Sequence, residues 1–216
     1  MFDTPEDPSE VEESEREHAV RGDLAASTRL LVDAVIRSTV AEAELVAVRA
    51  EIDQLVARLQ ASQMDGSYGV NRSGSGTVRA QGNAVIGLRN AVAPPLVITQ
   101  EPEGRAWAEF HLGAAYEGPP GLVHGGVSAL ILDQLAGEAA AAGGSPGMTG
   151  TLTVRYRRGT PLGDLRGECW IEKVDGVKTT VKGHLQDAEG VTVEAEGIFI
   201  LPRWARVDGE RPERFE

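Results

Sequence analysis

Residues 125–142 read Gly-Gly-Val-Ser-Ala-Leu-Ile-Leu-Asp-Gln-Leu-Ala-Gly-Glu-Ala-Ala-Ala-Ala. Most of these residues are apolar, and together they cover nearly every face of a helix. A helix on a protein surface carries a polar stripe along one side, so this run predicts a helix enclosed by the rest of its domain. We therefore expect a fold that is built around one central helix.

Strand patterns flank this helix on both sides. Two runs precede it and four follow it: 96–101, 105–112, 148–158, 164–174, 177–187 and 190–201. Asp175-Gly176 is a strong signal for a tight hairpin between two of the later runs. Two strands, a helix and four antiparallel strands indicate an α+β fold with a single sheet. A further short helix is expected at 82–91, before Pro94-Pro95.

The chain before this domain has a different composition. Residues 1–64 combine an acidic arm with a helical, coiled-coil-like extension, in which either one long helix or a helical hairpin would fit. Its apolar stripe follows a seven-residue period through Leu24, Leu31, Ser38, Leu45, Ile52 and Leu59, with a second track at Ala34, Ala41, Val48 and Leu55. Residues 65–76 are rich in Gly and Ser and predict a flexible linker. The main domain is then expected at 77–204, followed by a polar tail at 205–216.

The charge of the chain argues against a nucleic-acid partner. Residues 1–23 carry nine acidic residues against Arg16 and Arg21, and so hold seven of the twelve net negative charges. An acidic arm repels phosphate backbones and is most simply a solvated segment that keeps the protein soluble. No stretch approaches the roughly 20 apolar residues that a membrane-spanning helix needs, so no membrane insertion is expected.

The cellular compartment is predicted from the N-terminus and from cysteine usage. The first twenty residues lack the apolar core of a secretory signal. Cys169 is the only cysteine, so no intrachain disulfide can form, which is typical of a reducing compartment. Both observations favour a cytoplasmic protein.

Asp133 lies in the middle of the apolar helix, and no cation stands one helical turn away from it. Burial of an unpaired carboxylate costs several kcal/mol, roughly, and such groups are enriched at functional sites. The alternative is a structural acid that backbone groups or a cation across an interface would satisfy. Residue patterns alone do not choose between the two.

His124-Gly125-Gly126 stands at the expected start of this helix. The first amides of a helix have no internal partners and carry the positive end of its dipole, which suits a developing oxyanion. The glycines would let a ligand approach these amides closely. The simpler interpretation is that His124 is a helix cap or a core residue.

Several stretches together resemble the PaaI-like, or thioesterase-superfamily, group of hotdog-fold thioesterases. They are Ala93-Pro94-Pro95-Leu96, Tyr116 to Val127 with Glu117-Gly118-Pro119-Pro120-Gly121 in its loop, Leu132-Asp133-Gln134, Gly147-Met148-Thr149-Gly150, Leu152 to Arg158, and Ala195-Glu196-Gly197. The resemblance covers residues 83–203 and leaves the helical extension outside it. It implies a sheet wrapped around one helix, and a homodimer or homotetramer with its active sites at a subunit interface.

The resemblance also implies a role for each residue of the site. The backbone amide of Gly126, in the loop that contains His124 and Gly125, would hold the thioester carbonyl. Asp133 of the facing subunit would activate water as a general base or would attack as a nucleophile. Thr149, sixteen positions after Asp133, would assist by orienting the water, although a β-branched residue is also ordinary in a strand.

Arg155, Arg157 and Arg158 surround Tyr156 on one predicted strand. Because Arg155 and Arg157 share a face in a regular strand, they could bind the phosphates of coenzyme A. An ordinary solvated strand surface would have the same appearance.

The sequence therefore predicts an acyl-CoA thioesterase that produces a free acid and coenzyme A. The alternative is a non-catalytic hotdog protein that binds acyl-CoA or a lipid and uses its helices for interaction. A hotdog dehydratase is disfavoured because the Asp and His arrangement of that group is absent. No cofactor is expected, and no His, Cys and acid cluster has the spacing of a metal site. A serine hydrolase is disfavoured because no Gly-Xaa-Ser-Xaa-Gly motif occurs.

Overall fold

The computed structural model describes residues 8–69, 71–72, 78–207 and 209–211. Parts of four predicted segments lie outside the described residues: 1–7 of the acidic arm, 70 and 73–76 of the linker, 77 at the start of the main domain, and 208 and 212–216 of the tail. The chain forms two compact units, Met1–Ala91 and Val92–Glu216. The predicted domain boundary within the linker stays a prediction.

The first unit contains two separate helices, α1 (Pro8–Arg37) and α2 (Glu42–Gln60). The chain leaves the helical conformation at 38–41, where the hydroxyl of Ser38 accepts the N–H of Val40 at 3.4 Å. Local side-chain bonds of this kind compete with helix continuation. Two short strands, β1 (Asn71–Arg72) and β2 (Val78–Arg79), then pair antiparallel.

The helix predicted at 82–91 is wrong, because this segment forms a series of turns. The side-chain oxygen of Asn83 accepts the N–H of Val85 at 2.6 Å, which is a local turn bond. Arg29 of α1 donates to the carbonyl of Leu88 at 3.1 Å and so takes an acceptor that a continuing helix would have used.

The second unit is a six-stranded antiparallel sheet packed on one long helix. Its elements are β3 (Thr99–Glu101), β4 (Arg105–Leu112), α3 (Gly125–Ala142), β5 (Met148–Tyr156), β6 (Gly163–Asp175), β7 (Lys178–Asp187) and β8 (Gly190–Ile200). The strand order is β3-β4-β6-β7-β8-β5, and every neighbouring pair is antiparallel. This arrangement confirms the predicted α+β hotdog fold with an N-terminal helical extension.

One face of α3 packs on the sheet. The residues buried on that face are Ser128, Ile131, Leu132, Leu135, Ala136, Ala139 and Ala140. Gly167 of β6 allows the helix to approach, because a Cβ there would lie 2.5 Å from Leu135 Cδ1. The opposite face stays accessible in the single chain, where Leu130 is 41% exposed. The sequence predicted that α3 is buried on nearly every face, whereas the sheet of one chain covers only one side of this helix.

A bulge in β5 changes which residues face the helix. Thr149 pairs with Phe199 of β8, whereas Thr151 pairs with Ile198, so the register shifts by one residue between them. Phe199 is buried under the helix. Thr149 therefore points to the helix side of the sheet, and Thr151 points to the outer side.

Candidate functional site

Asp133 and Thr149 are brought together on the helix side of the sheet. The hydroxyl of Thr149 donates to Asp133 Oδ1 at 2.8 Å. Asp133 is half-buried and Thr149 is exposed in the single chain. The sequence predicted a buried carboxylate without a local partner, but the bulge in β5 supplies this hydroxyl across the fold. The second carboxylate oxygen and the lone pairs of the hydroxyl can still hold a water molecule.

His124 is the N-cap of α3. Its Nδ1 atom accepts the N–H of Gly126 at 3.0 Å, so the neutral ring carries its proton on Nε2 in this arrangement. The carbonyl of His124 accepts the N–H of Val127 at 2.9 Å. The amide of Gly126 is therefore satisfied by the imidazole, and a ligand oxygen must replace the ring to bind that amide. Within the described part of the chain, the neighbouring N–H of Gly125 has no acceptor.

Tyr156 fixes the peptide bond between the two glycines of the loop. Its hydroxyl donates to the carbonyl of Gly125 at 2.7 Å. Because a peptide unit is planar, holding this carbonyl also fixes the direction of the Gly126 N–H. The position of Gly125 leaves little room for a side chain, since an added Cβ would lie 3.1 Å from the tyrosine oxygen.

The loop before α3 is closed by its own backbone. The N–H of His124 donates to the carbonyl of Tyr116 at 2.9 Å, and the N–H of Gly118 donates to Leu122 at 2.9 Å. Gly118 passes so close to His124 that an added Cβ would lie 2.7 Å from the histidine Cα. The side chain of Glu117 accepts the N–H of Gly121 at 2.6 Å. These bonds hold His124 at the helix start.

The loop and the acid of one chain are separated along α3. Asp133 follows Gly126 by seven positions, which corresponds to roughly 10 Å at the 1.5 Å rise of a helix. A general base and an oxyanion donor must each lie within hydrogen-bond reach, about 3 Å, of the water or the carbonyl oxygen on which they act. Whether the loop and the acid of one chain serve the same site or two different sites stays a prediction.

The three predicted arginines lie elsewhere on the sheet. Val154 pairs with the buried Ala195, so its neighbour Arg155 points to the outer face, away from Asp133. There Arg155 borders an open depression of about 490 Å³ that His184 also lines. Whether Arg155 binds phosphate stays a prediction.

Arg157 and Arg158 form ion pairs at the end of β5. Arg157 donates to Glu194 through Nε at 2.8 Å. Arg158 pairs with Asp187 and also donates to the carbonyl of Gly190 at 3.0 Å. The hydrogen bond from Arg158 lowers the pKa of Asp187 below its usual value. A phosphate would have to displace these carboxylates, and binding by either arginine stays a prediction.

The described residues offer neither a reactive thiol nor a candidate metal cluster. Burial raises the pKa of the Cys169 thiol far above its usual value, so it carries no reactive thiolate at neutral pH. Among the described residues, no group of three or more His, Cys, Asp and Glu side chains could hold a metal ion. In the same part of the chain, no helix has both the length and the apolar character to cross a membrane.

Comparisons with known proteins agree with the fold. The family model of the thioesterase superfamily matches residues 120–194, which include the loop, α3 and β5. A solved structure of a thioesterase superfamily protein is 36% identical, with a TM-score of 0.74 over 83% of this chain and 90% of that one. The chain therefore belongs to the thioesterase superfamily.

Two curated relatives each match about half of the chain. The acyl-coenzyme A thioesterase THEM4 of Xenopus laevis is 35% identical over 45% of this chain and 46% of the relative. The THEM4 of Mus musculus is 32% identical over 51% of this chain and 46% of the relative. The chain thus spans about half the length of the curated relatives that it matches.

Tyr156 is the residue of this site to which sequence reasoning gave no role. The sequence named it only within the family-like stretch from Leu152 to Arg158 and as a neighbour of the arginines. The sequence signal for a role of Tyr156 was an aromatic residue at the end of the strand that also carries Thr149. The signal was weak because only the folded chain shows that the strand reaches the helix start.

Proposed function

We propose that this protein is an acyl-CoA thioesterase of the cytoplasm, related to the PaaI-like group, which acts as a homodimer or homotetramer. The observation that carries the proposal is the hydrogen bond from Thr149 to Asp133. A carboxylate held by a hydroxyl on an open helix face is a suitable general base for water. Family membership supports the same reaction class.

In the proposed reaction, Asp133 takes a proton from a water molecule that Thr149 helps to orient. The resulting hydroxide attacks the thioester carbonyl carbon. The oxyanion that forms is held by the amide of Gly126 of a facing subunit, once the imidazole of His124 has moved aside. The intermediate then collapses, the carbon–sulfur bond breaks, and the coenzyme A sulfur takes the proton from Asp133. The alternative is direct attack by Asp133 to form a mixed anhydride, which water then hydrolyses.

A non-catalytic binding protein is the second candidate. The observation that favours it is the occupied amide of Gly126, which His124 already satisfies. A protein of this kind would bind acyl-CoA with measurable affinity but would release no thiol.

Release of free thiol from short, long and aromatic acyl-CoAs tests the proposal. We expect turnover of at least one class by the wild-type protein, and a loss of at least about 100-fold in kcat for Asp133→Asn, which keeps the shape but cannot accept the proton. Retained binding of acyl-CoA by this variant would show that the fold is intact. Binding without turnover by the wild-type protein would favour the second candidate.

Mixed oligomers test the division of the site between two subunits. Gly126→Pro removes the amide hydrogen in the first turn of α3, where proline is tolerated. We expect co-assembly of Asp133→Asn and Gly126→Pro chains to restore about a quarter of the wild-type rate, because half of random dimers contain one intact site of two. If the mixture is no more active than either variant alone, then either both groups serve a site within one chain or they take no part in the reaction.

A further inference from the structure

Helix α2 carries an apolar stripe that the described chain covers only in part, at the half-buried Val48 and Ile52. None of its residues is buried. Leu45 and Leu55 are each 49% exposed, and Leu59 is 55% exposed. An isolated helix of this length is only marginally stable in water, so stability from packing is expected along this stripe.

The spacing of the stripe is that of a coiled coil. Leu45, Val48, Ile52, Leu55 and Leu59 follow one another at intervals of three, four, three and four residues. This is the a/d pattern that places knobs into the holes of a facing helix.

The frame of the seam continues into α1 with Leu24 and Leu31 at its a positions, but with small residues at its d positions. The d positions there are Ser27 and Ala34, which are too small to fill the holes of a partner. Arg29 of α1 instead donates to backbone carbonyls of the segment that follows α2, including Asn90 at 3.1 Å. The apolar seam of α2 therefore does not continue as one helix through α1.

The charges beside the seam match a second copy of α2. In a parallel pair, Glu44 at a g position would face Arg49 at the e position of the partner helix. In an antiparallel pair that brings Val48 opposite Leu59, the facing g positions are Glu51 and Arg58. Each arrangement joins opposite charges without placing like charges together at these positions.

We infer that α2 pairs with α2 of a second copy of this chain as a short two-stranded coiled coil. Two and a half heptads give a weak association between free molecules. Within the oligomer of the proposed function, on which this inference rests, the second helix is present at a high effective concentration, of the order of mM. The pairing then adds stability to the assembly without an additional partner protein.

Cysteine crosslinking of the full-length protein tests the inference. Ile52→Cys places a thiol in the seam, and Ala50→Cys places one on the opposite side of α2 as a matched control. The native Cys169 is buried and does not compete under mild oxidation. We expect Ile52→Cys to form a covalent dimer at least ten times faster than Ala50→Cys if the helices are parallel, because the two thiols then face each other.

An antiparallel pair is distinguished by the double variant Val48→Cys/Leu59→Cys. It would crosslink while Ile52→Cys alone would not, and this result would also support pairing with a second copy. If neither seam variant crosslinks, or if Ala50→Cys crosslinks as fast, the inference is overturned. The stripe would then cover another part of its own chain or a different protein.

Discussion

Replacement of Thr149 by valine removes the hydroxyl that contacts Asp133 and keeps the shape of the side chain. A hydrogen bond to a charged group contributes about 1.5–3 kcal/mol. The lower part of this range, about 1.5–2 kcal/mol, applies because Thr149 is exposed and Asp133 is only half-buried. At 1.36 kcal/mol for each factor of ten, we expect kcat to fall roughly 10- to 30-fold.

The loss should appear in kcat rather than in KM, because the hydroxyl acts on the attacking water and not on the bound acyl-CoA. Thiol release under saturating and limiting substrate separates the two parameters. Thr149→Ser keeps the hydroxyl and should retain most of the wild-type rate.

Thr151→Val is the matched control for this experiment. It makes the same change two positions along the same exposed strand, but beyond the bulge, where the side chain points to the outer face of the sheet. We expect its kinetics to equal those of the wild-type protein. If Thr149→Val keeps its rate within about threefold, or if Thr151→Val loses as much, the assignment of Thr149 to the reacting side of the sheet is refuted.

Two further predictions concern the remaining contacts of β5 and its neighbours. Tyr156→Phe should lower kcat roughly 2- to 10-fold with little change in Tm, since it removes one hydrogen bond of about 0.5–1.5 kcal/mol that aims the peptide after Gly125; an unchanged kcat would contradict this role. Because Arg158 lowers the pKa of folded Asp187, the charged carboxylate stabilises the protein above the unfolded pKa of about 4, and this contribution is lost as the pH falls through the folded pKa. In urea unfolding, the wild-type protein should therefore have a higher free energy of unfolding than Asp187→Asn at pH 7, and the difference should be smaller at pH 3. An equal difference at both pH values would show that the ion pair does not act through the charge of Asp187.

Much of the fold could be predicted from local patterns. The apolar run of α3 and the Asp175-Gly176 turn each depend on neighbouring residues, so the sequence alone determines them. The segment at 82–91 was predicted wrongly because its turns depend on Arg29, which comes from a distant helix. Periodicity within a short window carries no information about such a partner.

The candidate site was only partly predictable for the same reason. The resemblance indicated Asp133 and Thr149 by their spacing, but the one-residue bulge that turns Thr149 towards the helix has no clear sequence signal. A regular strand would have placed Thr149, Thr151 and Arg155 on one face. The bulge puts Thr149 on the face opposite to the other two, and this separates the acid from the arginine that was expected to share its substrate.

Strand β5 joins the two halves of the proposed site within each chain. Near its start, Thr149 holds Asp133, and at its end Tyr156 holds the carbonyl of Gly125. In a dimer related by a two-fold axis, each copy would give its acid to one active site and its loop to the other. A displacement of β5 would then alter both active sites of the dimer at once, because it would move the acid of one and the amide of the other. The edge position of this strand in the sheet is therefore where we expect assembly and catalysis to be coupled.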